Sequence, residues 1–127
     1  ILSNDSIDGN TAVYGGGVFN AFGRATIESS AVAGNSVFDS GGGVYNRSGT
    51  LALSNSSVSG NTAYFGGGIF NDYGQAVLQS SSVTSNTSFN DGGGIYNYFG
   101  TLNIPSPSSV TGNNAPDGIG ADIFSYP

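Results

Sequence analysis

The chain repeats a glycine-rich motif at nearly constant spacing, and this repeat constrains its fold more than any other feature. Three glycines followed by an aliphatic residue, an aromatic residue and Asn occur as GGGVFN at 15–20, GGGVYN at 41–46, GGGIFN at 66–71 and GGGIYN at 92–97. Successive copies begin 26, 25 and 26 residues apart. A fixed period in this range is typical of repeat architectures, in which similar units stack on one another.

Two further motifs keep the same period. One is a turn that ends in Asn, and it occurs as DGN at 8–10, AGN at 33–35, SGN at 59–61, TSN at 84–86 and TGN at 111–113. The other is a strand-like phrase, RATI at 24–27, TLAL at 50–53, QAVL at 75–78 and TLNI at 101–104. The runs between turns alternate with a period of two and show no helical periodicity, which predicts short strands.

Aliphatic residues recur at equivalent positions and predict inward-facing columns. The columns are Ile7, Val32, Val58, Val83 and Val110; Val18, Val44, Ile69 and Ile95; Ala25, Leu51, Ala76 and Leu102; and Ile27, Leu53, Leu78 and Ile104. We expect three short strands per unit, with units stacked at about 4.8 Å. This pattern describes an all-β parallel β-helix of about five coils of 25–26 residues.

Residues 1–127 would then form a single domain with two irregular coils. The first coil is predicted to be incomplete, because the repeat begins partway through a unit. The C-terminal coil is predicted to be atypical, because Pro105 and Pro107 fall in a strand, where proline lacks the donor of the ladder. In the same coil Ile123 stands where the repeat would place the equivalent of Asn97.

Asn residues recur at two turns and are predicted to stack as two ladders of side-chain amides. The first ladder contains Asn10, Asn35, Asn61, Asn86 and Asn113, and the second contains Asn20, Asn46, Asn71 and Asn97. The glycine triplets are predicted to allow a tight bend where a Cβ would clash. They are Gly15, Gly16 and Gly17; Gly41, Gly42 and Gly43; Gly66, Gly67 and Gly68; and Gly92, Gly93 and Gly94. A phosphate-binding loop would instead occur once and open a helix.

Aromatic residues form two further sets with the same period. Phe19, Tyr45, Phe70 and Tyr96 lie between the inward aliphatic residue and the Asn, and Phe22, Tyr73 and Phe99 lie at the next corner. If the aliphatic residues face inward, alternation places the first set outside, although the inverted facing remains open. Two interpretations follow: stacked rings that stabilise the coils, or an exposed contact surface for a partner or a sugar.

The charge balance restricts the possible partners. The chain carries 8 acidic residues against Arg24 and Arg47, for a formal net charge of −6. We therefore expect neither nucleic acid nor an anionic membrane surface as a partner. No apolar run is long enough to span a bilayer, so membrane insertion is not expected. The absence of Cys excludes disulfides and thiolate metal sites.

Candidate catalytic and metal-binding groups are scattered in the repeat register. The chain has no His, and no two carboxylates are predicted to face one cleft, as glycoside cleavage requires. We therefore predict no catalytic site, no metal site and no cofactor. Structural Ca²⁺ is the one ion considered, at the acidic segments 5–10, 90–94 and 116–122, whose carboxylate and carbonyl oxygens are suitable ligands.

The combined pattern GGGIYN…GTL…SSVSGN resembles the right-handed parallel β-helix repeats of large bacterial surface and secreted proteins, which include polymorphic outer-membrane-type and adhesin-like chains. The resemblance covers nearly the whole chain. It implies a right-handed solenoid at an extracellular or cell-surface location. The same fold also carries polysaccharide lyases, so the resemblance by itself says little about activity.

Three functional expectations follow, in order of preference. The first is a non-enzymatic structural protein that associates with its own copies, end to end or laterally, or with flanking coils of a longer chain, as a filament, stalk or surface layer. The second is a carbohydrate-binding adhesin segment with glycans as partners. The third is a polysaccharide lyase or hydrolase.

Overall fold

Short runs of apolar and small polar residues, interrupted by Gly, Asn and Ser, form short strands along the whole chain. A computed structural model describes residues 1–127 and shows an all-β parallel β-solenoid of about five turns of about 26 residues. The strands are β1 (Leu2–Ser3), β2 (Ser6–Asp8), β3 (Thr11–Tyr14), β4 (Val18–Ala21), β5 (Arg24–Glu28), β6 (Ala31–Ala33), β7 (Ser36–Ser40), β8 (Val44–Arg47), β9 (Thr50–Ser54), β10 (Ser57–Ser59), β11 (Thr62–Ala63), β12 (Ile69–Asp72), β13 (Gln75–Gln79), β14 (Ser82–Thr84), β15 (Thr87–Ser88), β16 (Ile95–Tyr98), β17 (Thr101–Asn103), β18 (Ser109–Thr111) and β19 (Ile123–Tyr126). No helix with the length and apolarity needed to cross a bilayer occurs in the structure.

The strands assemble into four parallel sheets, one for each side of the solenoid. Sheet 1 contains β1, β5, β9, β13 and β17; sheet 2 contains β2, β6, β10, β14 and β18; sheet 3 contains β3, β7, β11 and β15; and sheet 4 contains β4, β8, β12, β16 and β19. Neighbouring strands within each sheet come from successive coils. The sequence predicts this parallel stacking, and the structure confirms it.

A full coil has four strands, rather than the three that the sequence predicts. The additional strand belongs to sheet 3, between the Asn-ending turn and the glycine triplet. It shrinks to two residues in β11 and β15. Its inward positions hold Val37, Ala63 and Ser88, which are all buried but differ in size and polarity. Because these positions form no consistent apolar column, the sequence does not show the alternation that would predict this strand.

The predicted aliphatic columns form the core. Val32 pairs in register with Val58, and Val58 pairs with Val83, so equivalent side chains lie directly over one another. Eleven of the columns' residues are fully enclosed in one cluster: Ile27, Val32, Val44, Leu51, Leu53, Val58, Ile69, Ala76, Leu78, Val83 and Ile95. Stacking thus buries on each coil the apolar surface that an isolated coil would expose to water.

Residues in the left-handed backbone region occur at all four corners. Between sheets 1 and 2 they are Asn4, Ser29, Asn55 and Ser80; between sheets 2 and 3, Gly9, Gly34, Gly60, Ser85 and Gly112; between sheets 3 and 4, Gly15, Gly41, Gly66, Gly92 and Gly120; and between sheets 4 and 1, Phe22, Ser48, Tyr73 and Phe99. We call the third of these the glycine corner and the fourth the aromatic corner. A bulky aromatic residue at positive φ is uncommon and strained, so the aromatic corner is the most unusual of the four.

The glycine triplets are required at the glycine corner, as predicted. A Cβ on Gly41, which has φ of +70°, would lie 2.5 Å from the carbonyl oxygen of Val44. A Cβ on Gly43 would lie 2.8 Å from both the Gly68 carbonyl oxygen and a methyl group of Val58. Real Cβ atoms do not approach other atoms this closely, so a larger residue would distort the bend itself at Gly41 and would displace the adjacent coil at Gly43.

The C-terminal coil departs from the repeat at two places. Strand β17 ends at Asn103, so Pro105 lies after the strand rather than in it, where no ladder donor is required of it. In β19 Ile123 pairs with Ile95, and Ser125 pairs with Asn97. The sequence prediction that Ile123 replaces the Asn is therefore wrong by two positions, because the loop before β19 shifts the register. Ser125 stands at the end of the second ladder.

Candidate functional site

Both predicted asparagine ladders are present inside the solenoid. In the first ladder, the backbone N–H and the side-chain amide of each Asn donate to the Oδ1 of the Asn in the next coil, as from Asn35 to Asn61 at 2.9 and 3.0 Å. In the second ladder, Asn46 donates its amide to the Oδ1 of Asn71 at 2.8 Å. The fully enclosed Asn61 and Asn71 show how deep the amides lie. No buried side-chain nitrogen or oxygen lacks a partner.

Asp122 closes the first ladder. It follows Gly120 and Ala121, at the third position of the glycine triplet, so its strand neighbour in the previous coil is Gly94. A glycine in that place has no side chain, whereas the Oδ1 of Asp122 accepts bonds from the N–H and the amide of Asn113, both at 3.0 Å. The carboxylate therefore takes the acceptor position that an Asn holds in every earlier coil.

A third ladder, of serines, was missed from the sequence. At the corner between sheets 1 and 2, the hydroxyl oxygens of Ser56 and Ser81 accept backbone N–H bonds from the preceding coil at 3.1 Å. The same hydroxyls donate to the carbonyl oxygens two residues earlier. The signal was available as Ser30, Ser56, Ser81 and Ser108, but serine is so frequent in this chain that the column does not stand out.

The aromatic residues of sheet 4 lie outside the solenoid core but are covered there. We call the set Phe19, Tyr45, Phe70, Tyr96 and Phe124 the covered row. The central three form a separate cluster and are only 8–9% exposed, while Phe19 is 50% exposed. Phe70 and Tyr96 stack with ring centroids 4.9 Å apart. The outward facing expected from alternation holds. Of the two interpretations, stacked rings fit Tyr45, Phe70 and Tyr96, and an exposed surface does not, because neighbouring rings cover them.

The glycine corner supplies this cover. On its far side lies the flanking row, which consists of the residues that precede each triplet: Tyr14, Ser40, Phe65 and Asp91. Tyr14 stacks against Tyr45 with centroids 5.6 Å apart. The ring of Phe65 packs edge-on against Tyr96 at 5.5 Å. The bend therefore turns the outer faces of sheets 3 and 4 toward each other and makes the corner concave on the outside.

Ser40 interrupts the flanking row and leaves a space that we call the slot. Tyr14 pairs in register with Ser40, and Ser40 with Phe65, so the three occupy equivalent positions in successive coils. Tyr14 and Phe65 are thus two coils apart, which is roughly 9.6 Å at the usual strand spacing. Two rings separated by two coil spacings leave room for one more ring-sized group between them.

The slot combines aromatic walls with two carboxylates. Its volume is about 370 Å³, and it is lined by Tyr14, Asp39, Ser40, Tyr45, Phe65, Phe70, Asp72, Tyr96 and Tyr98. Ser40 donates its hydroxyl to Asp39 at 2.6 Å, and the Tyr45 hydroxyl donates to Asp72 at 2.9 Å. Neither Arg24 nor Arg47 lines the slot. The sequence predicts that no two carboxylates face one cleft, and this prediction is wrong, because Asp39 and Asp72 line the same slot.

Two tyrosines of the slot, Tyr45 and Tyr96, have raised pKa values. Burial raises the pKa of the Tyr45 hydroxyl well above its usual range, and the hydrogen bond to Asp72 and the negative charge of Asp72 raise it further. Burial also raises the pKa of Tyr96, and the charge of Asp91 adds to the rise. Tyr45 therefore remains a hydrogen-bond donor to Asp72 well beyond neutral pH.

The second predicted aromatic set lies at the aromatic corner and is exposed. Phe22, Tyr73 and Phe99 are 75%, 59% and 45% exposed, and together with Ser48 they form what we call the corner row. Tyr73 and Phe99 stack with centroids 5.3 Å apart, and the guanidinium carbon of Arg47 lies 5.8 Å from the ring centre of Phe22. Here the expectation of an exposed aromatic surface agrees with the structure.

The remaining acidic residues bond to their own surroundings. Asp8 accepts from the Ser6 hydroxyl at 2.9 Å, and Asp91 accepts from the N–H of Ile119 at 2.9 Å. No three carboxylates come close enough to share a metal ion. A wider groove of about 690 Å³ runs along the corner between sheets 1 and 2, but its lining is almost entirely Ser and Asn, with Asp5 as the one charged group.

Comparison with known proteins adds no further assignment: no family model, no curated protein and no solved structure matches this chain.

Proposed function

We propose that this chain is a non-enzymatic structural segment of an extracellular or cell-surface protein, a rigid rod that associates with further β-coils. Those coils belong either to other copies of the chain or to flanking sequence. The observation that carries the proposal is the register: equivalent strands and ladder residues pair coil after coil, as Asn46 does with Asn71 and Asn71 with Asn97. The edge that one coil presents on one side is therefore complementary to the opposite edge of another coil.

The hydrogen bonds favour association at the first coil. The Asn10 amide donates to Asn35, and the Asn20 amide donates to Asn46, but the Oδ1 atoms of Asn10 and Asn20 accept no bond from the protein. Strands β1 to β4 each form the outermost strand of a sheet at the same end. Unpaired strand edges of this kind pair readily with other strands. At the opposite end Asp122 already occupies the acceptor site of the first ladder.

The corner row supplies a second surface, suited to lateral contact. Rows of exposed aromatic residues often mark sites of protein association. The extracellular location is supported by the resemblance of the repeat to surface and secreted β-helix proteins. The right-handed winding implied by that resemblance belongs to the same proposal.

The test is the mass of the particles as a function of concentration, measured by light scattering and examined by electron microscopy. We expect the mass to rise with concentration and thin rods to appear. A double variant with Ser6→Lys and Thr11→Lys places charge on the exposed edge strands β2 and β3 and should suppress this growth. The matched control, Ser57→Lys with Thr62→Lys, adds the same charge in β10 and β11 and should not.

Two outcomes would overturn association between copies of the chain. One is a monomer of constant mass at all concentrations. The other is equal suppression of association by the edge and the central lysine pairs, which would show that net charge rather than an open edge controls the behaviour.

A further inference from the structure

The geometry points to the slot as a binding site for a small organic cation, of the alkylammonium or quaternary ammonium class. The inference does not depend on the structural role proposed above, because the slot lies beside the glycine corner rather than at an end of the solenoid. Its volume of about 370 Å³ is near the lower limit for ligand pockets. It therefore fits a small group and not an extended chain.

The walls supply the first part of the argument. Aromatic rings attract cations through the negative charge of their faces, and aromatic cages of this kind are a known means of binding quaternary ammonium groups. Tyr14 and Phe65 border the space left by Ser40 on either side, and Tyr45 and Phe70 lie beneath it. The molecule already shows one such contact elsewhere, where Arg47 lies over Phe22.

The charges supply the second part and decide between ligand classes. Asp39 and Asp72 both line the slot, and no basic side chain of the chain lines it. Each carboxylate has one uncharged hydroxyl partner, Ser40 or Tyr45. Arg47 is the register neighbour of Asp72 in the adjacent strand, but its guanidinium lies over the Phe22 ring and does not line the slot. A neutral saccharide would replace the water with hydroxyl hydrogen bonds but would leave both negative charges uncompensated. A cation would compensate both.

The whole chain has the same bias. Its formal net charge of −6 attracts cations over a longer range and repels acidic glycans. The Tyr45 hydroxyl donates a hydrogen bond to Asp72, which holds that carboxylate at the edge of the slot. The slot is therefore prepared before the ligand arrives.

The test compares two ligands of nearly identical shape by isothermal titration of the intact chain. Choline carries a quaternary ammonium group, and 3,3-dimethylbutan-1-ol replaces its nitrogen by carbon and is neutral. We expect choline to bind with one site per chain and the neutral compound to bind about tenfold more weakly or not at all. Equal binding of the two compounds, or no binding of choline, would overturn the proposal.

Variants locate the site. Ser40→Phe should fill the slot and abolish choline binding, because Tyr14 and Phe65 already hold rings at the equivalent positions. The matched control is Ser48→Phe, which adds a ring to the corner row in the same coil and should leave binding unchanged. Asp72→Asn removes one charge with little change in shape and should weaken binding about tenfold. Retention of full affinity by both Ser40→Phe and Asp72→Asn would place the cation elsewhere and refute the assignment.

A neutral cello-oligosaccharide is titrated in parallel. Binding of this sugar that exceeds choline binding and is lost in Ser40→Phe would identify a saccharide site and overturn the cation assignment. The particle mass measured in the same samples reports on the proposed association separately, so failure of one proposal is distinguishable from failure of the other.

Discussion

The flanking row and the corner row each lack one aromatic ring in the second coil, but the two gaps have different consequences. In the second coil, the flanking row carries Ser40 between Tyr14 and Phe65, and the corner row carries Ser48 between Phe22 and Tyr73. At the concave glycine corner, the missing ring leaves a slot walled on several sides. At the aromatic corner, which projects into solvent, the missing ring leaves a shallow notch. It is lined by Phe22, Tyr73 and the glycines that follow the corner residues.

The difference lies in the direction of the bend. The central rings at the glycine corner, Tyr45, Phe70 and Tyr96, are covered by rings on neighbouring strands and across the corner, so these three lose most of their contact with water. Rings at the aromatic corner have neighbours only along the row, and Phe22 remains 75% exposed against 9% for Phe70. A gap in a row therefore becomes a binding site only where another surface closes over it.

The largest expected effect tests this difference in burial. Phe70→Ala should lower the free energy of unfolding by about 3–5 kcal/mol, because it removes a buried ring and leaves a cavity. Phe22→Ala, at the exposed row, should lower it by less than about 1 kcal/mol. Chemical denaturation of both variants provides the measurement. Similar losses in the two variants would contradict the distinction between a covered and an exposed row.

The next effect concerns the bend that makes the corner concave. In Gly67→Ala the new Cβ would lie 2.6 Å from the Gly93 carbonyl oxygen, and we expect a loss of about 3 kcal/mol from the strain on the adjacent coil. Gly23→Ala at the aromatic corner is the control, because its nearest atom would be 3.2 Å away in the side chain of Asn20. It should cost no more than about 1 kcal/mol. Thermal unfolding of the two variants would show whether this order holds.

Filling the two gaps should produce a smaller and opposite effect. Ser40→Phe completes the flanking row in contact with rings on both sides and should raise the free energy of unfolding by about 1 kcal/mol. Ser48→Phe adds a ring that remains largely in water, so its effect should stay within about 0.5 kcal/mol. Denaturant midpoints measure both. A clear loss of stability in Ser40→Phe would mean that the slot is narrower than a ring.

The smallest effect is the pH dependence from Tyr45. Its pKa is higher in the folded chain than in the unfolded chain, so the protonated hydroxyl stabilises the fold. This contribution is complete below the unfolded pKa of about 10 and is lost as the pH rises toward the folded value. Tyr45→Phe should therefore flatten the fall in stability in alkaline solution. Chemical denaturation of the native chain and the variant at neutral and at alkaline pH provides the measurement, and an equal fall in stability in both chains would contradict this role of Tyr45.

The sequence was sufficient to predict what lies inside the solenoid. The aliphatic columns and both asparagine ladders recur with the period of the coil, and stacking demands the same chemistry at the same place in every turn. Val58 and Asn61 could be assigned to the interior because a substitution there would leave a void or an unpaired amide in the neighbouring coil. A residue that contacts its equivalents in the neighbouring coils can be recognised from a single sequence, because the same residue type recurs at the same position of each repeat.

The arrangement of side chains on the outside of the solenoid depends on contacts between different positions of the repeat, which the repeat period does not predict. Whether Tyr45 is covered depends on Tyr14, which reaches it only because the glycine corner is concave. Asp39 and Asp72 belong to different positions of the repeat, so only the bend brings them to one slot. Asp122 stands at a different position of the repeat from the Asn residues of the ladder, yet its Oδ1 completes the first ladder by accepting from Asn113. The sequence alone thus determined the stacking and the interior, and the tertiary structure decided which outer residues meet, since contacts across a corner follow from its angle and not from the repeat.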